Sequence, residues 1–200
     1  VAEAERDHPV LARVPGREVV WLESVSSTMI EAAGRPPGTV VVAGEQTAGQ
    51  GTHGRHWHSE KDTGLYVSIV LGAGVPLEST QAFTLRLGLA VREAVYLETG
   101  VACELKWPND LLAGGRKCAG ILLQRGSGAL IAGIGVNVNQ TDFPGPLAAT
   151  ATSLRLATGR EHSRERLLVR ILEALDKRLV AAPAQRAKKG IQYAAGPGCR

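Results

Sequence analysis

The feature that most limits the fold is a pair of apolar segments joined by a short polar turn. They lie within KCAGILLQRGSGALIAGIGVNVN, where strands are predicted over 119–124 and 130–138. The turn between them, Arg-Gly-Ser-Gly, contains the glycines that tight connections need, so the segment predicts a β-hairpin. Because a hairpin makes its two strands antiparallel, we expect a sheet that is at least partly antiparallel.

Further strands and three helices are expected around this hairpin. Strands are predicted over 19–22, 39–46 and 64–72, and a fourth strand leads into a loop in CELKWPNDLL. Helices are predicted in MIEAAG, capped by Ser26, Ser27 or Thr28, and over 79–98 and 163–182, before Pro183. In the second helix the predicted buried face holds Ala82, Leu85, Leu89 and Ala90. The elements do not alternate regularly, so they predict an α+β fold with a mixed, largely antiparallel sheet and helices on one side.

Composition narrows the class of protein. The 200 residues, 44% apolar and 21% charged, fit a single soluble domain, and the net charge of +4 suits an anionic ligand without indicating nucleic acid. No apolar run is long enough for a membrane span, and the charged N-terminus has no signal-peptide core. Cys103, Cys118 and Cys199 are far apart in the sequence, which predicts a reduced cytoplasmic protein whose cysteines pack as small apolar residues or lie at the surface.

The stretch QTAGQGTHGRHWHS, 46–59, has the composition of an anion-binding loop. Glycines at 49, 51 and 54 let backbone N–H groups approach a carboxylate or phosphate, and Arg55 adds a charged donor. A solvated surface loop is an alternative that the same residues also allow. No helix follows the glycines and no Gly-Lys-Ser/Thr closes them, which disfavours dinucleotide and Walker A sites. The spacing of His53, His56 and His58 does not favour a metal site.

Two other short motifs carry polar side chains at strand ends. In KWPNDLL, Lys106 and Asp110 are four residues apart and predicted to face one pocket, although a turn at a strand end explains the pattern equally well. Lys117 opens an apolar strand, where an edge charge is also common. In GIGVNVN the glycines permit close backbone approach, and Asn137 offers a donor and an acceptor; a strand with a bulge is the alternative.

Taken in order, these motifs resemble the catalytic domain of biotin protein ligases. The resemblance spans about residues 19–180 and rests on Ser27-Thr28, QTAGQGTHGRHW, LYVSIVL, KWPNDLL, GRKCAGILL and GIGVNVN. It implies the class II aminoacyl-tRNA synthetase-like fold of biotin and lipoate ligases. The family uses biotin and ATP, with Mg²⁺, to make biotinyl-5′-AMP and pyrophosphate. It then transfers biotin to a lysine of the biotin carboxyl carrier protein of acetyl-CoA carboxylase.

The resemblance also implies roles for individual residues. The implied biotin-binding residues are Ser27, Thr28, Gln46, Gly49, Gln50, Gly51, Lys117, Gly133 and Gly135. The implied ATP and adenylate residues are Thr52, Arg55, Trp57, Asn109 and Asn137. The implied catalytic residues are Lys117, Asp110, Arg55 and Lys106. The family loop usually reads Gly-Arg-Gly-Arg-x-Gly-Arg, and here Gln50 and Thr52 replace two arginines. Protonated His53 is expected to replace part of that charge.

The ends of the chain and the competing functions complete the hypothesis. Residues 1–182 are expected to form the catalytic domain, and 183–200 a tail or linker towards an SH3-like domain that this chain does not contain. The residues before Val19 are too few for a helix-turn-helix, so no DNA binding is expected. The oligomeric state stays open, with pairing of an exposed sheet edge as a route to a homodimer. A lipoate or octanoate ligase, or a non-catalytic biotin-binding module, stays open as an alternative.

Overall fold

The computed structural model describes residues 17–72, 80–126 and 129–180. It contains a seven-stranded sheet with the order β1-β2-β3-β7-β6-β5-β4. The strands are β1 Val19–Val25, β2 Val40–Gln46, β3 Leu65–Gly72, β4 Glu104–Lys106, β5 Asp110–Ala113, β6 Arg116–Gly126 and β7 Ala129–Val136. Only β1 and β2 pair in parallel among these strands. The predicted α+β fold with a mixed, largely antiparallel sheet is therefore confirmed.

Five α-helices occupy the described ranges. They are α1 Thr28–Ala32, α2 Thr80–Thr99, α3 Leu147–Thr150, α4 Leu154–Thr158 and α5 Arg164–Val180. Ser27 caps α1 through its hydroxyl, which accepts from Met29 N, as the serine-rich sequence predicts. The helices α3 and α4 were not predicted, since four or five residues are too few to show a helical period.

The helices cover both faces of the sheet, so the prediction that they lie on one side is wrong. Side chains alternate along a strand: Val40 and Val42 of β2 belong to the large core under α2 and α5, whereas Val41 belongs to a smaller cluster with Met29 of α1. A one-turn helix has no period that could show which face it covers. α1 thus lies over the opposite face, where it borders the site described below.

The buried face of α2 also differs from the prediction. Leu85 is 41% exposed, and the core-facing stripe includes Phe83, Leu87, Val91 and Ala94. Of the predicted face, Ala90 is fully buried but Ala82 is exposed. Because α2 is apolar around most of its circumference, two stripes satisfy helical spacing. Packing against the core, which also includes Leu168 and other residues of α5, selects one of them.

Strand boundaries follow the sequence except at two points. The segment after β4 returns as β5 and pairs antiparallel with it, where a loop had been predicted. The predicted hairpin forms from β6 and β7, but β7 ends at Val136 rather than at 138. Asn137 therefore lies just beyond the strand, next to the site.

Several predictions fall outside the described residues. These are the absence of a helix-turn-helix and signal peptide before residue 17, the start of a helix at Ser79, part of the Arg-Gly-Ser-Gly turn, residues 181–182, the tail at 183–200 and Cys199. Within the described ranges, no helix is long and apolar enough to cross a membrane.

Candidate functional site

A cavity of about 260 Å³ lies between α1, the glycine-rich loop and the central strands β6 and β7. Most of the residues singled out from the sequence line it, although they come from distant parts of the chain. They are Ser27, Thr28, Gln46, Gln50, Gly51, Thr52, Arg55, Trp57, Asn109, Asp110, Lys117, Gly133, Gly135 and Asn137. The sheet order explains the convergence, because β7 lies between β3 and β6 and brings the two halves of the chain together.

Two of the predicted site residues, Gly49 and Lys106, are not in the lining. Gly49 is buried behind it: a Cβ there would lie 2.7 Å from the Trp57 carbonyl oxygen and 2.9 Å from Ser59 Oγ. Glycine is thus required for the loop to fold back on itself. Lys106 is exposed and lines a separate small hollow with Trp107. Its backbone is nevertheless the register partner of Asp110 in the β4–β5 pairing.

One end of the cavity is polar and uncharged. Thr28 donates to Gln46 Oε1 through both its backbone N (2.8 Å) and its hydroxyl (3.1 Å). Ser68 Oγ donates to Thr28 Oγ1 at 2.8 Å, and Gln46 Nε2 donates to Ser59 Oγ at 2.9 Å. Thr28 and Ser68 are buried. Groups held in this way suit a neutral ligand head with both donors and acceptors.

The glycine-rich loop is a tight turn that closes with backbone hydrogen bonds. Gly51 N donates to Arg55 O at 2.7 Å, and Trp57 N donates to Gly49 O at 2.9 Å. At the tip, His53 has a φ of 58°, a left-handed conformation uncommon for a non-glycine residue. The Arg55 side chain folds back to donate to the Thr52 hydroxyl at 3.2 Å. A solvated loop without a role is thus a poor description, since the loop forms one wall of the cavity.

Charge replacement by His53 does not fit this geometry. His53 is exposed and lies outside the cavity lining, whereas His56 and His58 are part of it. The sequence offered no way to choose among the three histidines, because the turn at 52–54 decides which side chains point inward. In the described ranges no three His, Cys, Asp or Glu side chains are arranged to hold a metal ion.

Trp57 lies across two glycines in the floor of the cavity. Gly120 of β6 and Gly135 of β7 are register partners, and a Cβ on either would come within 2.7 Å or 2.5 Å of the indole ring. The indole ring can therefore lie flat against the two strands only because both positions are glycine. The indole Nε1 is buried and has no hydrogen-bond partner in the described part of the chain. An unpartnered buried donor in a cavity wall is a group that a ligand can satisfy.

The charged end of the cavity is built on Lys117 and Asp110. Lys117 Nζ lies 2.7 Å from Asp110 Oδ1 and 5.2 Å from the centroid of the Trp57 ring. Their side chains are 34% and 23% exposed. The two side chains are therefore partly accessible, although Asp110 Oδ1 itself is buried, and they place one positive and one negative charge at this end.

A bulge in β6 directs Lys117 into the cavity. Leu111 pairs with Ala119 but Leu112 pairs with Lys117, so Cys118 is an extra residue in the ladder. Regular alternation would place Lys117 and Gly120 on opposite faces, yet Lys117 Nζ lies 3.3 Å from where a Gly120 Cβ would be. The bulge thus brings the lysine to the face that carries Trp57.

Asn137 and Asn109 hold the walls of the cavity in place. Asn137 Nδ2 donates to Thr152 O at 3.0 Å, and its backbone N donates to Cys118 O. Asn109 Nδ2 donates to Ile121 O at 3.1 Å. With the amide donors directed at protein carbonyls, Asn137 retains its side-chain oxygen as an acceptor.

The structure also places in the lining several residues that the sequence did not single out. They include Met29, Val67, Ile121, Leu122, Phe143, Leu147, Thr150 and Ala151. Met29 Sδ would be 2.8 Å from a Cβ on Gly133, which shows how closely α1 approaches β7. Phe143 and Leu147 follow the GIGVNVN motif, in a segment with no periodic pattern to predict its position.

Two cysteines that are far apart in the sequence meet in the structure. Cys103 Sγ and Cys118 Sγ are 3.6 Å apart, and both thiols are free and buried. The hydrogen bond with Cys103, and then burial, raise the pKa of the Cys118 thiol. The prediction that these cysteines fill space in a reduced protein is compatible with this environment.

Comparisons with known proteins relate the chain to one family of ligases. The model of the biotin/lipoate A/B protein ligase family matches residues 21–140. The chain is 36% identical over 190 residues to the bifunctional ligase/repressor BirA of Bacillus spizizenii, which covers 89% of this chain and 58% of that protein. It is 36% identical over 151 residues to the biotin–[acetyl-CoA-carboxylase] ligase of Mycobacterium tuberculosis, covering 72% of this chain and 54% of the relative. The chain thus spans little more than half the length of these two relatives.

The fold is also similar to that of a solved structure. The biotin protein ligase from Aquifex aeolicus, in complex with biotin and ATP, superposes with a TM-score of 0.77 at 36% identity. The superposition covers 82% of this chain and 70% of the Aquifex chain.

Proposed function

The chain belongs to the biotin/lipoate A/B protein ligase family, and on that premise we propose that it is an ATP-dependent biotin protein ligase. The observation that carries the proposal is a single cavity with a neutral hydrogen-bonding end at Thr28 and Gln46 and a charged end at Lys117 and Asp110. Biotin has the same polarity, with a neutral ureido ring at one end and a carboxylate at the other. The relatives that are named as biotin ligases support the same choice.

The first step that we propose is adenylation of biotin. A carboxylate oxygen of biotin attacks the α-phosphorus of ATP, the bond from that phosphorus to the β-phosphate oxygen breaks, and pyrophosphate leaves. Negative charge gathers on the phosphoryl oxygens in the transition state, and the ammonium group of Lys117 stabilises it. Lys117 is suited to this role because the bulge at Cys118 holds it beside Trp57 and above the cavity floor.

The second step transfers biotin to a lysine of the acceptor. The amine attacks the acyl carbon of biotinyl-5′-AMP, the acyl carbon–oxygen bond breaks and AMP leaves. Asp110 would orient the incoming ammonium group and accept its proton. The printed name of the Mycobacterium relative points to acetyl-CoA carboxylase, and we propose its biotin carboxyl carrier domain as the acceptor.

Substrate contacts follow from the same geometry. Ser27, Thr28, Gln46 and the backbone of Gln50 and Gly51 would hold the ureido end. Gly133 would line the pocket of the ring system, and Gly135 would seat Trp57 beside it. Trp57, Asn137, Asn109, Thr52 and Arg55 would hold the adenylate. Mg²⁺ would arrive with ATP, bound chiefly through the phosphates, as is usual for this ion. Lys106, which lies in the neighbouring hollow, would contribute only long-range positive charge.

The setting of the activity is also part of the proposal. The buried free thiols Cys103 and Cys118 are in keeping with a reducing cytoplasm. The sheet ends in β1 on one side and β4 on the other, and pairing of such an edge would make a homodimer.

Pyrophosphate release tests the proposal. The chain is incubated with ATP and Mg²⁺ and with either biotin or lipoate, and release should depend on biotin. A preference for lipoate would instead identify a lipoate ligase. Biotin binding without pyrophosphate release would identify a non-catalytic binder, an outcome that the replacement of two loop arginines by Gln50 and Thr52 makes worth testing.

A further inference from the structure

One backbone hydrogen bond determines the orientation of the Gln46 side-chain amide. Thr28 N can only donate, and it lies 2.8 Å from one of the two terminal atoms of Gln46. That atom must be the amide oxygen, since an NH₂ group cannot accept this hydrogen bond. The other terminal atom, which faces Ser59 Oγ at 2.9 Å, is therefore the nitrogen.

The orientation of Gln46 sets the direction of every hydroxyl around it. The Thr28 hydroxyl donates to Gln46 Oε1, so it has to accept from Ser68, whose Oγ is 2.8 Å away. Ser59 Oγ accepts from Gln46 Nε2, so its own proton is directed to the Trp57 carbonyl oxygen at 3.3 Å. The result is a one-way chain of donors from β3 to the glycine-rich loop.

The serines at the two ends of this series of hydrogen bonds are buried and closely packed. Ser68 is 0% exposed and Ser59 is 6% exposed. A Cβ on Gly49 would meet Gln46 Nε2 at 3.1 Å as well as Ser59 Oγ, so the loop backbone packs closely against the amide. Reversal of the amide would also place an NH₂ group against the Thr28 N–H. Such a reversal is costly, because two buried donors would then face each other.

We propose that Ser59 and Ser68 are positioning residues that hold Gln46 as a hydrogen-bond donor towards the ligand. Oε1 already accepts two hydrogen bonds, and Nε2 uses one of its two N–H groups on Ser59. The second N–H has no acceptor in the described part of the chain, and Gln46 lines the cavity. Gln46 therefore presents a donor to the ligand, and its partner has to be an acceptor.

On the proposed function, that acceptor is the carbonyl oxygen of the ureido ring. Thr28 N fixes the polarity of this contact, and Ser59 and Ser68 hold the Gln46 amide and the Thr28 hydroxyl in place. These roles also explain why the hydroxyls at positions 59 and 68 are buried beside a cavity although neither is predicted to touch the ligand.

Titration calorimetry on the full chain tests the inference without requiring turnover. Biotin is compared with 2-iminobiotin, in which a guanidinium group replaces the urea and the carbonyl acceptor becomes a donor. Gln46→Glu keeps an acceptor for Thr28 N but presents only lone pairs to the ligand. We expect it to weaken biotin binding by about a hundredfold and to shift the preference between the two ligands at least about tenfold towards 2-iminobiotin.

The two positioning residues are tested by removing their hydroxyls. Ser59→Ala and Ser68→Ala should each raise the Kd of biotin by about five- to tenfold, and should leave the KM of ATP unchanged, because one removes a hydrogen bond that holds Gln46 and the other removes one that holds Thr28. Ser68→Thr, which retains the hydroxyl, should recover most of the affinity. Ser163→Ala removes a hydroxyl that accepts from Arg166 N at the start of α5, and should lower the Tm without altering the Kd of biotin.

Each outcome decides a different point. A wild-type chain that binds no biotin would overturn the proposed function and this inference with it. Wild-type affinity in both serine-to-alanine variants would overturn the positioning roles alone. Equal losses of biotin and 2-iminobiotin in Gln46→Glu would show that Gln46 does not act as a donor to the position at which the two ligands differ.

Discussion

The two ends of the cavity are built on opposite plans. At the uncharged end, Thr28, Gln46 and Ser68 are hydrogen-bonded to one another before any ligand arrives. At the charged end, Lys117 and Asp110 remain partly exposed, and the buried indole N–H of Trp57 has no partner in the described ranges. At one end the polar groups already satisfy one another, apart from one N–H of Gln46, whereas the other end holds a partly exposed ion pair and an unused indole N–H.

This difference separates recognition from chemistry. A neutral ring is distinguished by the number and direction of hydrogen bonds, and preorganised partners give that selection at little entropic cost. Charge that develops during a reaction is stabilised best by charged groups and donors that are already held beside it. We therefore expect substitutions at the uncharged end to alter substrate affinity and those at the charged end to alter turnover.

The largest effect is expected for Lys117→Ala. Loss of the ammonium group removes the cation next to the reacting phosphoryl group, and kcat for pyrophosphate release should fall by about 10²- to 10³-fold. The Kd of biotin, whose carboxylate meets the same ammonium group, should rise by a much smaller factor. Lys177→Ala, an exposed lysine on α5, serves as the control and should retain full activity. If biotin affinity fell as much as kcat, the division of labour between the two ends would be wrong.

Gly135→Ala should impair ATP binding at the charged end, although it changes no charged residue. The new Cβ would lie 2.5 Å from the Trp57 ring, so the indole must leave its seat, and displacement of a substrate-positioning group commonly costs about tenfold to a hundredfold. We expect the KM of ATP to rise by that factor. A double variant with Trp57→Ala should be no worse than Trp57→Ala alone. Additive losses would mean that the glycine acts by another route.

Thr28→Val tests the uncharged end with a side chain of nearly equal shape. Valine neither donates to Gln46 nor accepts from Ser68, so one buried hydroxyl loses its partner, which costs about 1–3 kcal/mol of folding free energy. The KM of biotin should rise about tenfold while kcat changes little. Thr63→Val, whose hydroxyl contacts Glu60 instead, should leave both constants unchanged. A fall in kcat at saturating biotin would contradict the comparison.

The smallest effect concerns the scaffold rather than either end. Burial, and then the positive charge of Arg160, lower the pKa of His162, so the folded protein favours the neutral ring. The unfolded chain takes up a proton at higher pH, and stability should therefore decrease as the pH falls below about 6.5. Urea unfolding between pH 8 and pH 5 measures this slope. His162→Gln should reduce it, and an unchanged slope would show that other groups are responsible.

Many elements of this protein can be predicted from its sequence, because they depend on interactions between residues that are close along the chain. The hairpin of β6 and β7 follows from two apolar runs around a glycine-containing turn, and Ser27 caps α1 because its hydroxyl reaches Met29 N within one turn. The site residues were found because their motifs occur in an order that resembles one family. That resemblance could name Lys117 and Asp110 without any knowledge of the distance between them.

Tertiary structure decided what depends on contacts between distant segments. Packing, and not helical spacing, placed Phe83 rather than Leu85 in the core. The extra residue at Cys118 turned Lys117 towards Trp57, and sequence periodicity gives no sign of such a bulge. A single backbone N–H from Thr28 oriented the amide of Gln46, eighteen residues away. Local chemistry thus determined which elements form, whereas the direction of each functional group was settled only when separate elements came within hydrogen-bonding distance.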